Sequence, residues 1–136
     1  MQEIEASIAV VTETWMRDGQ DWQVLDLSLG AGAGIVYRSR PPNRNGVLYG
    51  GVAVVWREKT ASFKKLDIES AEHEVIVVGG KLKGYGRKLV VVAAYLPLNL
   101  TLQKADTCMS FVADAVVEVK RKSTDPFVVV AGDFNQ

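Results

Sequence analysis

Most of this chain is written in short runs of β-branched and aromatic residues, and that pattern limits what it can fold into more than any other feature. Ile8-Ala9-Val10-Val11, Ile35-Val36-Tyr37, Gly50-Gly51-Val52-Ala53-Val54-Val55-Trp56 and Val128-Val129-Val130-Ala131 are each too short for a stable helix and suit strands. Residues 73–82 and 87–95 are two more, separated by Lys83-Gly84-Tyr85-Gly86, a Gly-containing loop that predicts a β-hairpin. Residues 62–68 alternate weakly and suit an edge strand. The result is a meander of consecutive strands.

Only one stretch changes period. From Thr101 to about Lys122, Leu102, Ala105, Met109, Val112, Val116 and Val119 recur at three- and four-residue steps, which predicts a helix with one apolar stripe. Lys120-Arg121-Lys122 falls in its last turn, where positive charge complements the helix dipole. The basic triplet therefore needs no ligand.

Bulk properties remove several classes of function. The 136 residues are 48% hydrophobic and 24% charged, so the chain is globular and can bury a core. Sixteen basic and sixteen acidic residues cancel, so any contact with nucleic acid must come from local patches rather than overall charge. Cys108 is the only cysteine, which excludes an intrachain disulfide and a thiolate metal cluster and makes a reducing, intracellular compartment the expectation. The start of the chain lacks the basic lead and apolar core of a signal peptide, and no run approaches the ~18 apolar residues of a membrane span. The chain reads as soluble.

Several strands end in polar groups. The last run leads into Gly132-Asp133-Phe134-Asn135, and in extended backbone residues two apart share a side. Asp133 and Asn135 can thus converge while Phe134 turns the other way into packing; a plain turn is the alternative, since Gly, Asp and Asn are turn residues. The first run, expected to be buried on both faces, ends in Thr12-Glu13-Thr14-Trp15, where Glu13 either marks a ligand site beyond the strand or opens a solvated loop. Tyr95 closes its strand before Pro97, and a tyrosine there is commonly core with its hydroxyl in water.

Other features carry less. Residues 1–6 look like the tail of a helix or a lead-in, and in the polar, Gly-rich residues 17–33 Trp22, Val24, Leu25 and Leu27 are expected to fold back onto the core. Gly30-Ala31-Gly32-Ala33-Gly34 lacks the strand before and the helix after that a phosphate loop requires, so it reads as a flexible turn. Arg38, Arg40 and Arg44 surround Pro41-Pro42-Asn43 on a loop that either touches a phosphate backbone or is simply solvated. His73, the single histidine, stands between Glu72 and Glu74 and is expected to be partly exposed and salt-bridged rather than a metal ligand.

In this order and spacing, the blocks Ile-Ala-Val-Val-Thr-Glu-Thr-Trp, Gly-Gly-Val-Ala-Val-Val-Trp, Val-Val-Val-Ala-Ala-Tyr-Leu-Pro and Val-Val-Val-Ala-Gly-Asp-Phe-Asn resemble the endonuclease/exonuclease/phosphatase superfamily. Glu-Thr-Trp and the Gly-Gly-Val-Ala strand look most like the endonuclease domains of non-LTR retrotransposons. The resemblance implies an α/β fold, part of a two-sheet α/β sandwich of the DNase-like kind, mostly antiparallel with a flanking helix. It also implies phosphodiester hydrolysis with magnesium, or with manganese as the alternative. Carried over by position, Glu13 matches the metal-binding glutamate, Asp133 the aspartate that positions or deprotonates the attacking water, Asn135 the amide that hydrogen-bonds the scissile phosphate, and Tyr95 the phenol near that phosphate.

The same resemblance sets expectations about extent. Residues 1–136 read as a single partial domain lacking the family's first strand, with its asparagine, and its C-terminal half, with its Ser-Asp-His motif. Such a slice is expected to be weakly active or inactive alone, and to leave the inner face of one sheet open, which predicts self-association. The implied partner is the DNA phosphate backbone, and the implied location is the nucleus. A phosphoinositide or sphingolipid phosphatase of the same superfamily, or a degenerate binding module, are the other expectations.

Overall fold

The structure, a computed structural model, describes residues 8–12, 32–38, 51–70, 73–96 and 101–134. Strands β1 (Ile8–Thr12), β2 (Ala33–Arg38), β3 (Val52–Arg57), β4 (Ala61–Lys65), β5 (Glu74–Leu82) and β6 (Leu89–Tyr95) precede helix α1 (Leu102–Lys122) and strand β7 (Phe127–Asp133). They form a three-stranded sheet, β1-β3-β2, and a four-stranded sheet, β4-β5-β6-β7. All pairings are antiparallel except β6 with β7, which are parallel and joined across α1. The α/β sandwich that the family resemblance implies is therefore the observed fold.

The continuous apolar run of β6 has a direct cause. Leu89, Val91, Ala93 and Tyr95 face the other sheet, where Val52, Val54 and Trp56 meet them. Val90, Val92 and Ala94 face α1 and its Cys108, Val112, Ala115 and Val119. A strand with a sheet on one side and a helix on the other has no solvated face, so alternation disappears. Each fully buried valine contributes roughly 1.5–3 kcal/mol of hydrophobic stabilisation.

Three expectations are corrected by this packing. β1 is an edge strand covered on one face only: Ile8 and Val10 pack into the inter-sheet core, whereas Val11 is 42% exposed. The inner face of the four-stranded sheet is not open, because β1, β3 and β2 supply its partner layer. The expected self-association thereby loses its physical basis.

The third correction concerns the helix stripe. The buried line runs through Cys108, Val112, Ala115 and Val119, while Leu102 is 85% exposed and Met109 is also exposed. At 3.6 residues per turn, 102 and 109 sit roughly 120° and 100° around the axis from Cys108. The helix ends are as the sequence suggests. The Thr101 side chain caps α1 by accepting from the Lys104 amide, and Arg121 and Lys122 pair with Glu118 at 2.8 and 3.1 Å.

Hydrogen bonds from Arg121 and then Lys122 pull the Glu118 carboxyl from 4.5 down to about 2. Because the folded value is depressed, its contribution to stability is present above pH 4.5 and is lost as pH falls toward 2. The group is exposed, so the effect is small.

At the far end of the sandwich the turn into β7 is clamped. Arg87 donates to the Asp125 carbonyl and carboxylate, both at 3.2 Å, and its guanidinium lies 5.5 Å from the centroid of the Phe127 ring. Asp125 takes a left-handed conformation with φ 45°, and the clamp holds it there. No helix among the described residues is long and apolar enough to cross a membrane.

Two substitutions separate cap from stripe. Thr101→Ala is expected to lower unfolding stability by about 1 kcal/mol in urea denaturation. Leu102→Ala, although it removes a large apolar side chain, is expected to stay within about 0.5 kcal/mol of the parent.

Candidate functional site

Two rows of side chains meet at one end of the sandwich. In the three-stranded sheet Val52 pairs with Thr12 on one side and Arg38 on the other. In the four-stranded sheet Tyr95 pairs with Glu74 on one side and Asp133 on the other. Paired positions share a face of their sheet, and Tyr95, only 6% exposed, lies in the inter-sheet core with Val52. The rows Thr12, Val52, Arg38 and Glu74, Tyr95, Asp133 therefore face each other.

One hydrogen bond ties them. The Gly51 amide, just before β3, donates to Glu74 Oε1 at 2.8 Å. The bond is partly buried, so it is less exposed to competition from water than a surface contact. The chain positions leading out of β1, β6 and β7 are held at a common end.

The placement of Asp133 depends on Gly132. Gly132 has φ +146°, and a Cβ built there would stand 1.8 Å from the Ala94 carbonyl oxygen of β6. Only a residue without a side chain lets β7 approach β6 this closely. Gly132 and Asp133 are thus strand residues rather than the turn they also resembled, and the Asp133 carbonyl accepts from the amide of Leu96, the residue after β6, at 2.8 Å. Phe134 packs on the helix side of the sheet, opposite to Asp133, as the extended reading required.

The other candidates divide. Tyr95 and Asp133 are brought side by side. Glu13, which follows Thr12 in the chain, and Asn135, which follows Phe134, lie outside the described residues, as do Arg40, Arg44, Trp22, Val24, Leu25 and Leu27. His73 does not make the expected salt bridge among the described residues: its ring lies 6.3 Å from that of Phe111 and its amide donates to Ser70 Oγ. Neighbouring Glu74 turns instead to Gly51. Burial pushes the Cys108 thiol up, with the Glu74 charge adding to it, so this cysteine stays protonated and is no nucleophile. Among the described residues no group of three or more His, Cys, Asp or Glu side chains could hold a metal ion.

Glu74 is the residue that sequence reasoning passed over. In the sequence it stands only as a flank of His73. Counting back across the predicted hairpin from its loop would have set it opposite Tyr95, because pairing in a hairpin follows from the loop.

A sandwich of this topology with polar groups gathered at strand ends defines a class, and comparison with known proteins identifies it. The family model described as "Endonuclease/Exonuclease/phosphatase family" matches residues 1–136, and the chain belongs to that family, one of metal-dependent phosphodiesterases and phosphatases. No curated protein sequence matches the chain. Among solved structures, the human Nocturnin catalytic domain with bound sulfate superposes with a TM-score of 0.66 at 13% identity, over 96% of this chain and 51% of that one. Truncated Caenorhabditis elegans TDP2 gives 0.63 at 17% identity, over 96% and 49%. D. rerio TDP2 complexed with a single-strand DNA product gives 0.58 at 13% identity, over 96% and 48%. The chain spans about half the length of these structures.

Two variants test the geometry of the strand ends. Gly132→Ala is expected to cost about 1–3 kcal/mol or more, read by thermal unfolding, because the backbone conformation and the Ala94 carbonyl both oppose a side chain. Glu74→Ala leaves the Gly51 amide without its acceptor at a cost of about 1–3 kcal/mol. Hydrogen exchange should show the Gly51 amide losing protection ahead of the strands beside it.

Proposed function

We infer that the chain is the nucleic-acid-cleaving part of a metal-dependent phosphodiesterase, with DNA as substrate. The observation that carries this is the opposed pair of rows, with Tyr95 beside Asp133 at the ends of β6 and β7. Family membership supplies the reaction class, and a related TDP2 bound to a single-strand DNA product supports the substrate class.

The roles are those that the family resemblance carries to these positions. Asp133 accepts the proton of the attacking water and holds that water in line with the phosphorus. The Tyr95 phenol donates toward a non-bridging phosphate oxygen, and the Asn135 amide does the same. Glu13 offers the hard carboxylate oxygen that magnesium prefers. The cation, when bound, neutralises charge that develops on the phosphate and leaving oxygen. Glu74 keeps the start of β3 against the Tyr95 row, so its task is positioning.

The finer identity rests on sequence blocks. Glu13-Thr14-Trp15 and Gly50-Gly51-Val52-Ala53 favour the endonuclease of a retrotransposon-like protein that nicks DNA in the nucleus.

Plasmid nicking tests the assignment. With magnesium, the full-length protein is expected to nick supercoiled DNA, EDTA to abolish the nicking, and Asp133→Ala to slow it by about 10²–10⁴-fold. Nicking that persists undiminished in Asp133→Ala would refute the role given to this strand end.

A further inference from the structure

A second feature lies at the same end of the sandwich, on the flank away from Asp133. Tyr37 and Arg38 from the end of β2, Lys65 from the end of β4, Glu69 and Ser70 just beyond it, and Val75 of β5 line a cavity of about 550 Å³. Arg38 belongs to the same cross-strand row as Thr12, two strand spacings away, or roughly 10 Å. Val75 follows Glu74, the partner of Tyr95. The cavity and the candidate site are thus neighbours along one edge.

We propose that this cavity is a binding subsite for a nucleotide unit flanking the phosphodiester held at Tyr95 and Asp133, with Arg38 and Lys65 taking its phosphate and Tyr37 its base or sugar. The proposal deepens the phosphodiesterase reading and rests on it for the substrate class.

The chemistry of the lining carries the argument. Two cations converge on one concave place, and a guanidinium presents the forked donor geometry that suits phosphate. Glu69 already occupies that positive ground. Its carboxylate pairs with Lys65, and it is held below the usual carboxylate range by the Lys65 hydrogen bond and charge, with Arg38 adding charge alone. A carboxylate paired with Lys65 in a cavity that Arg38 also lines marks where an outside anion is welcome. The Lys65–Glu69 pair is exposed on both sides, 45% and 59%, and exposed pairs hold weakly. Exchange of Glu69 for a phosphate therefore costs little.

Size and surface agree with a nucleotide. Ligand pockets run from roughly 300 to 1,000 Å³, and aromatic side chains beside a basic groove are the ordinary means of holding an unpaired base. Overall charge gives no such indication. The positive ground is local to this edge.

Binding is measured apart from catalysis, with EDTA present. A fluorescent single-stranded tetranucleotide is titrated by anisotropy against the parent, the double variant Arg38→Gln with Lys65→Gln, and Glu69→Gln, each checked for folding by circular dichroism. The double variant is expected to bind at least about ten-fold more weakly, and its slope of log affinity against log salt to fall by about 1.4, the value for two lost phosphate contacts on a single strand. Glu69→Gln is expected to bind more tightly than the parent, a change of sign that a folding defect does not produce.

Affinity of the double variant within about two-fold of the parent, or weaker binding by Glu69→Gln, would overturn the proposal. So would equal affinity for a tetra-aspartate peptide. Hydrolysis of a phosphodiester in magnesium is read separately, on the full-length protein. Tetranucleotide binding that depends on Arg38 and Lys65 without hydrolysis upholds the subsite and removes the phosphodiesterase reading, whereas hydrolysis with no such dependence does the reverse.

Discussion

The parallel pairing of β6 with β7 is the constraint from which the rest of the structure follows. Parallel neighbours cannot be joined by a tight turn, so the chain must cross over, and α1 is that crossing. The helix then covers one face of the four-stranded sheet, which leaves the other face to be closed by a second sheet. Because β6 and β7 run the same way and in register from Leu89 with Phe127 to Tyr95 with Asp133, their carboxyl ends coincide. Polar groups that end two separate strands arrive side by side.

That coincidence requires close backbone contact. Gly132 lets β7 lie against the Ala94 carbonyl, and the Leu96 amide returns a bond to Asp133. On the facing sheet, the Gly51 amide and the Glu74 carboxylate bind the start of β3 to the same end. Each contact is modest alone. Together they hold two sheets in one relation at the candidate site, while the opposite end is secured by Arg87 on the turn into β7.

Much of this could be read from the residues. The β-branched runs marked six of the seven described strands and weak alternation marked β4, the loop at 83–86 gave the hairpin, and Thr101 with the basic last turn bounded the helix. Tyr95 and Asp133 were picked out as strand ends, and the structure sets them adjacent. What escaped depended on a third dimension. Val11 and Leu102 are apolar and exposed, because being apolar does not say which face a neighbour covers. The closed inner face was missed since the short runs in the first half gave no hint that they pair among themselves. Glu74 and the cavity beside Arg38 were missed because residues far apart in the chain meet there only after both sheets have formed.

The central claim is that the two facing rows form one cation- and phosphate-binding end. Paramagnetic manganese tests it by nuclear magnetic resonance, since amides near the bound ion broaden first. The account predicts early loss of the signals of Thr12, Val52, Tyr95 and Asp133, with those of Lys83 and Arg87 at the far end unchanged. Broadening that began at the Arg87 end, or spread evenly over the molecule, would contradict it.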